Sequence, residues 1–335
     1  MTAESVPRRR WLRLVGAIAA RAALAVAALF AAGIAAVQIH DAAGIAVLVA
    51  AAAAQVFVRP FRKMAAVSAG AFALVLVWFA LISPSNDRPW QPDVAVPTRV
   101  ERDGDRVTLR DVRDLDWTGA ETFRARRRDR TIDLAKLDSL WLALSYWDGN
   151  RSICHTILSF GFEDGTYLSL SVETRKELGE SYSAWRGFFK QYELFYVLAE
   201  ERDVLGVRAA HRDEDLYLYP LATQPGERRR LLGDILETAH ALETRPEWYG
   251  ALGRNCTTTL QHHVDAALGR ESHFRWDTVL NGTIDEMAWR LGAIRDERPF
   301  ADVRAAHRIT DLARTHAGAD DFSRRIRERM GAERR

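Results

Sequence analysis

The chain has 335 residues, 48% of them hydrophobic, and its 47 basic and 45 acidic residues leave a net charge of only +2. Beyond the first quarter the two signs are interspersed, which excludes the electrostatic footprint of a nucleic-acid binder. With 2 cysteines, Cys154 and Cys256, a disulfide-dense scaffold and a thiolate metal cluster are excluded as well.

Apolar residues are concentrated at the start. Ala22 to Ile39, Ala42 to Val58 and Met64 to Ser83 contain no Asp, Glu, Lys or Arg, and each approaches the ~17–25 residues that cross a bilayer as a helix. Residues 1–83 are therefore expected to be a membrane region with three transmembrane helices, at about 22–39, 42–58 and 64–83, the second being the shortest. A cleavable signal peptide is the rival for the first, because Arg8, Arg9, Arg10 and Arg13 form a basic leader. That run is long for a signal, and two more follow. A soluble core helix is the rival for the second, which has no polar face to turn to water. Arg8 to Arg13, and Arg59, Arg62 and Lys63, belong on the cytoplasmic side by the positive-inside rule. His40, Asp41 and everything after Ser83 are then outside.

Pro84, Pro89, Pro92 and Pro97 mark a linker over 84–98 that cannot continue a helix. Trp78 and Trp90 are expected at the membrane interface. Residues 99–330 are read as one extracytoplasmic domain. Arg99 to Leu109 reads as a hairpin around Asp103-Gly104, followed by strands at Thr131 to Leu137 and Leu140 to Trp147. The arginines from Arg124 to Arg130, and the tail from Arg324 to Arg335, read as solvated surface, with lipid headgroups as the alternative.

The clearest hairpin joins Ile153 to Phe162 with Thr166 to Thr174 through Glu163-Asp164-Gly165. A three-residue loop of this kind sets Glu173 opposite His155. A two-residue Asp164-Gly165 turn would instead pair His155 with Thr174, leaving Ser171 or a residue elsewhere in place of Glu173. Further strands are expected at Tyr192 to Ala199, Val204 to Ala209 and Leu216 to Leu221, and a helix at Glu227 to Leu242. Cys256, Leu260, Val264 and Leu268 recur every four residues, so Cys256 opens a helix with Asn255 suited to cap it. Strands followed by helices make the class α+β.

A thiol at a helix start is acidified by unpaired N–H groups and the helix dipole, and the same groups can meet an oxyanion. His262 and His263, on the same helix, lie too far along its axis to reach Cys256 and read as helix-surface histidines. His155, backed by Glu173, is the candidate base, giving nucleophile, base and orienting acid. A Cys154–Cys256 disulfide is the competing reading. Neighbouring strand residues point to opposite faces, so the bridge and the Cys256–His155 pair exclude each other. The Trp and Tyr residues, among them Trp141, Trp147 and Tyr196, read as core.

Several short motifs occur in order: His155-Thr156-Ile157-Leu158-Ser159-Phe160, Ser171-Val172-Glu173-Thr174-Arg175, Gln191-Tyr192-Glu193-Leu194, Glu201-Arg202-Asp203, Tyr217-Leu218-Tyr219-Pro220, Pro246-Glu247-Trp248-Tyr249 and Asn255-Cys256-Thr257-Thr258. Together they resemble the bacterial Lnb N-terminal periplasmic domain family, from about Val107 to Arg324. The resemblance implies a circularly permuted papain-like, NlpC-like fold with the histidine strand before the cysteine helix. It also implies Cys256, His155 and Glu173 as catalytic residues, with Asn255, Thr257 and Arg175 in oxyanion, substrate or supporting roles. The implied activity is lipoprotein N-acylation, an acyl chain passing from membrane phospholipid through a Cys256 thioester to an amine such as a lipoprotein N-terminus. Phospholipid and membrane lipoproteins are the partners, no nucleic acid, metal or cofactor is implied, and the oligomeric state is left open. An envelope amidase or peptidase, or a non-catalytic envelope module, are the other readings.

Overall fold

The computed structural model describes residues 8–147, 149–250, 253–270 and 281–332. The first residues of the expected membrane region, 1–7, and the last of the basic tail, 333–335, lie outside them. The chain forms two compact units, one comprising Met1–Pro84 with Ser183–Gln191, the other Ser85–Tyr182 with Tyr192–Arg335.

The first unit holds α1 (Arg8–Gln38), α2 (Asp41–Phe57) and α3 (Phe61–Leu81). Two stretches, Leu14–Gln38 and Phe61–Leu81, are long and apolar enough to cross a membrane, while α2 is a shorter apolar helix of 17 residues. His40 caps α2, its Nδ1 accepting the Ala42 N–H. A side chain at Gly44 would strike the Ala32 carbonyl and Ala36, so α1 and α2 approach backbone to backbone, as small residues permit. Leu74, Val67 and Leu81 are each more than 70% exposed. So much bare apolar surface on a helix face calls for an apolar surrounding.

The second unit is a mixed α+β domain. Its strands are β1 (Arg99–Asp103), β2 (Arg106–Arg113), β3 (Asp116–Trp117), β4 (Phe123–Arg124), β5 (Arg127–Asp133), β6 (Leu137–Tyr146), β7 (His155–Phe162), β8 (Tyr167–Arg175), β9 (Glu193–Ala199) and β10 (Asp215–Pro220). The main sheet runs β1-β2-β9-β8-β7-β6-β10, with β5 also on β2 and β3–β4 a separate hairpin. Neighbours are antiparallel except β2 and β9, which meet in parallel at Arg113 and Ala199. Around it lie α4 (Glu201–Ala210), α5 (Pro225–Thr244), α6 (Cys256–Ala267), α7 (Ile284–Arg290), α8 (Phe300–Ala306), α9 (Thr310–His316), α10 (Phe322–Arg325) and α11 (Glu328–Ala332).

Strand alternation splits the core in two. Leu142, Leu144, Leu158, Phe160, Leu170 and Val172 pack with Leu232, Ile235 and Leu236 of α5 and Leu260 of α6. Ala143, Ile157 and Val197 pack with Val204 and Leu205 of α4 and with Ile309, Ala313 and Phe322. Helices thus cover both faces, which is why these strands read as nearly continuous apolar runs rather than alternating ones.

Two sequence expectations change. Val204 to Ala209 is helical, not a strand: Glu201 and Asp203 are buried in the first turn of α4, where Asp203 takes two 3.0 Å hydrogen bonds from Arg113 and Glu201 pairs with Arg327. An apolar run this short fits either period, and the buried ion pairs decide. Trp90 is buried beneath the Arg175 guanidinium, 4.4 Å from its ring, and is not an interface residue. Arg126 and Arg128 are exposed, as expected of solvated surface, and are paired with Asp114, while Arg130 pairs with Glu200.

Candidate active site

Gly165, at a φ of +79°, closes the three-residue loop between β7 and β8 in the left-handed conformation that glycine adopts without strain. The register that follows pairs Ile157 with Ser171. One step further, His155 Nε2 stands 3.1 Å from Glu173 Oε1. Ser171 lies between them, its Oγ 2.7 Å from Nε2 and donating to Glu173 Oε1 at 2.7 Å. Arg208 of α4 completes the row, donating to the same Glu173 oxygen at 2.9 Å.

The thiol arrives from α6. Asn255 caps this helix, its side-chain oxygen accepting the Thr257 and Thr258 N–H groups at 3.0 and 2.9 Å, while Thr258 Oγ1 accepts the Asn255 N–H. Cys256, the first helical residue, lies beside the His155 ring and the Thr156 backbone, both of which lower its thiol pKa. With Nε2 turned to Ser171 and Glu173, the other ring nitrogen is the one available to sulfur. Thr257 Oγ1 is 3.8 Å from the sulfur, 3.0 Å from Thr156 Oγ1, and bonded by Asn281, so it fastens α6 to β7.

Electrostatics favour an ion pair. Burial would raise the Cys256 thiol, but the hydrogen bond and charge of His155, with Thr156 and Thr257, bring it below its ordinary value. Burial would lower His155, but the Glu173 carboxylate and the Cys256 hydrogen bond outweigh it and Arg208, pushing it up to about 9. Glu173 is held well below the usual carboxylate range: burial opposes this, and His155, Arg208 and Ser171 overcome it. The row is therefore biased toward thiolate, imidazolium and carboxylate, a nucleophile with its proton donor beside it.

Cys256, His155, Glu173, Asn255 and Thr257 come together. Arg175 does not join them: its guanidinium binds the Val94 and Ala95 carbonyls and Asn86 Oδ1, clasping the expected linker onto the domain. Burial pulls its pKa down to about 10. The helix N–H groups are also not an open anion site, since Asn255 holds those of Thr257 and Thr258. Tyr249, buried, and Tyr182 lie near Cys256, and burial together with the thiol raises both phenol pKa values.

Both cysteines are free. The alternation argument nevertheless fails in its detail. Cys154 belongs to the same core as Leu260 of α6, and His155 points to the α4 side, toward Arg208. His155 still meets the thiol because each is the first residue of its element, where neither sheet nor helix separates them. His263 is a second correction: it is buried, with Nε2 2.6 Å from the Tyr196 hydroxyl and Nδ1 2.6 Å from Asp234. Sequence reasoning also passed over Tyr249, although it ends one of the quoted motifs, and Arg208, hidden in the run read as a strand.

Fold and site together define a class: a membrane-associated protein whose α+β domain presents an acidified thiol. The family follows from comparison with known sequences. Residues 124–283 match the model of the Lnb N-terminal periplasmic domain, the family that the motifs resemble. The match holds His155, Glu173 and Cys256 and is shorter at both ends than the likeness read from the motifs. No curated protein and no solved structure matches the chain. The family and the apolar helices fit an inner-membrane protein with a periplasmic domain.

Proposed function

We propose that this chain is a membrane-anchored, cysteine-dependent acyltransferase at the outer face of the cytoplasmic membrane. The observation that carries the reading is the Cys256 thiol acidified by a His155 ring that Ser171 and Glu173 hold. In the first half-reaction the Cys256 thiolate attacks a phospholipid ester carbonyl, and the C–O bond breaks as His155 gives its proton to the departing lysophospholipid oxygen. In the second an amine, such as a lipoprotein N-terminus, attacks the thioester carbon. His155 takes the amine proton, the C–S bond breaks and the thiolate returns. The Tyr249 hydroxyl, near Cys256, is positioned to donate to the developing oxyanion.

A histidine strand preceding a cysteine helix supports a permuted papain-like relationship. Gly44 packing and the Asp41 start of α2 support a third span, and Arg59, Arg62 and Lys63 support a cytoplasmic loop between α2 and α3. Tethering the thiol to the bilayer raises its effective concentration toward a lipid donor.

Full-length protein incubated with acyl-labelled phospholipid is expected to carry a hydroxylamine-labile label on Cys256, discharged by an added lipopeptide amine. Absence of label on folded wild type in accessible lipid, together with lipid-independent amide hydrolysis, would replace this reading with that of an envelope amidase.

A further inference from the structure

Segment Ser183–Gln191, which follows β8 in the chain, belongs to the same compact unit as α1–α3. It binds one end of each helix. Gln38, the last residue of α1, donates to the Phe189 and Lys190 carbonyls at 2.7 and 3.0 Å. Asp41, the first of α2, pairs with Arg186 at 2.9 Å. Lys190 Nζ donates to the Phe79 and Ile82 carbonyls at the end of α3, at 2.7 and 3.0 Å, satisfying groups that a helix terminus leaves open.

The anchor is Phe189, 2% exposed, whose ring lies over Gly33 so closely that any side chain there would collide with it. Phe30 flanks it at 5.3 Å. While Phe189 points into the helices, its neighbours do not: Trp185 is 56% exposed and Phe188 45%. These three helix ends are the ones that the basic residues assign to the outer side. Two bare aromatic rings at the ends of apolar helices match the belt that aromatic side chains form at the bilayer interface.

We propose that Ser183–Gln191 is a bilayer-docking segment, Trp185 and Phe188 seating in the headgroup–acyl boundary of the outer phospholipid leaflet. This rests on reading α1–α3 as membrane spans. It adds a lipid-contacting surface outside the thiol row.

The test uses the full chain with Cys256→Ala, in which the remaining Cys154 is buried, reconstituted in phosphatidylcholine–phosphatidylglycerol vesicles. Trp185→Cys, Phe188→Cys and, as a reference on α3, Leu74→Cys are labelled separately with an environment-sensitive fluorophore, and the unsubstituted background gives the blank. Lipids carrying a nitroxide near the headgroup are expected to dim positions 185 and 188 about twofold or more, and deep nitroxides to dim position 74. Quenching at 74 with none at 185 and 188 overturns the docking segment and leaves the spans standing. No quenching at any of the three overturns both.

Discussion

Two histidines bound to carboxylates reach the cysteine helix, and they behave in opposite ways. His155 lies between Cys256 and a Glu173 that is itself fixed by Ser171 and Arg208, and its pKa is pushed up to about 9. His263, within α6, lies between the Tyr196 hydroxyl and Asp234. Burial lowers its pKa, and Asp234, 42% exposed and so screened by water, does not reverse this. An imidazole next to a carboxylate is thus not by itself a base with a function. What separates the two is a second ionisable partner and the degree to which the carboxylate is shielded from solvent.

The largest effect expected from breaking this contrast is at the thiol. Cys256→Ser should leave the fold intact and abolish both alkylation of the protein by iodoacetamide and the acyl label, as read by intact mass. Next, His155→Gln should raise the alkylation half-point of Cys256, because burial then acts against the thiolate with little to oppose it, and cut acyl transfer by about 10²–10⁴-fold. Unchanged alkylation in that variant would mean that His155 does not activate the thiol.

Glu173→Gln should have a smaller effect. The His155 ring, followed by NMR, should titrate well below about 9, because burial and Arg208 then lower it unopposed by Glu173. Stability supplies the sign. A raised folded pKa means that the His155 network stabilises the fold fully below pH 6.5 and loses that contribution as pH climbs through about 9. His263 runs the other way: its lowered pKa gives a contribution present above pH 6.5 and lost as pH falls. Urea unfolding across this range should show Glu173→Gln removing the alkaline loss and His263→Gln removing the acidic one. The smallest effect expected is that of His263→Gln at neutral pH, about 1–3 kcal/mol of stability with the Cys256 alkylation profile unmoved.

Much of this was legible in the chain. Gly165 marked the turn and left two loop lengths, of which the favoured three-residue one sets Glu173 against His155, because hairpin pairing is a local matter of turn geometry. Asn255 ahead of Cys256 marked the helix start for the same kind of local reason. The apolar segments were likewise visible from composition.

Partners distant in sequence were not legible. The 201–210 segment had a composition fit for a strand, and only burial of Glu201 and Asp203 against Arg327 and Arg113 makes it a helix that delivers Arg208 to Glu173. Arg175 lay in the right motif and on the right strand, yet the 86–95 segment folds back to claim it. Alternation along β7 is a local rule. It assigns His155 and Cys154 to opposite faces but does not say that the thiol waits at the strand's first residue, where both faces can be reached. Sequence by itself determined the turn, the cap and the apolar helices, since each is set within a few residues. The thiol's meeting with His155 needed the tertiary structure, because it depends on where a helix begun a hundred residues later comes to rest on the sheet.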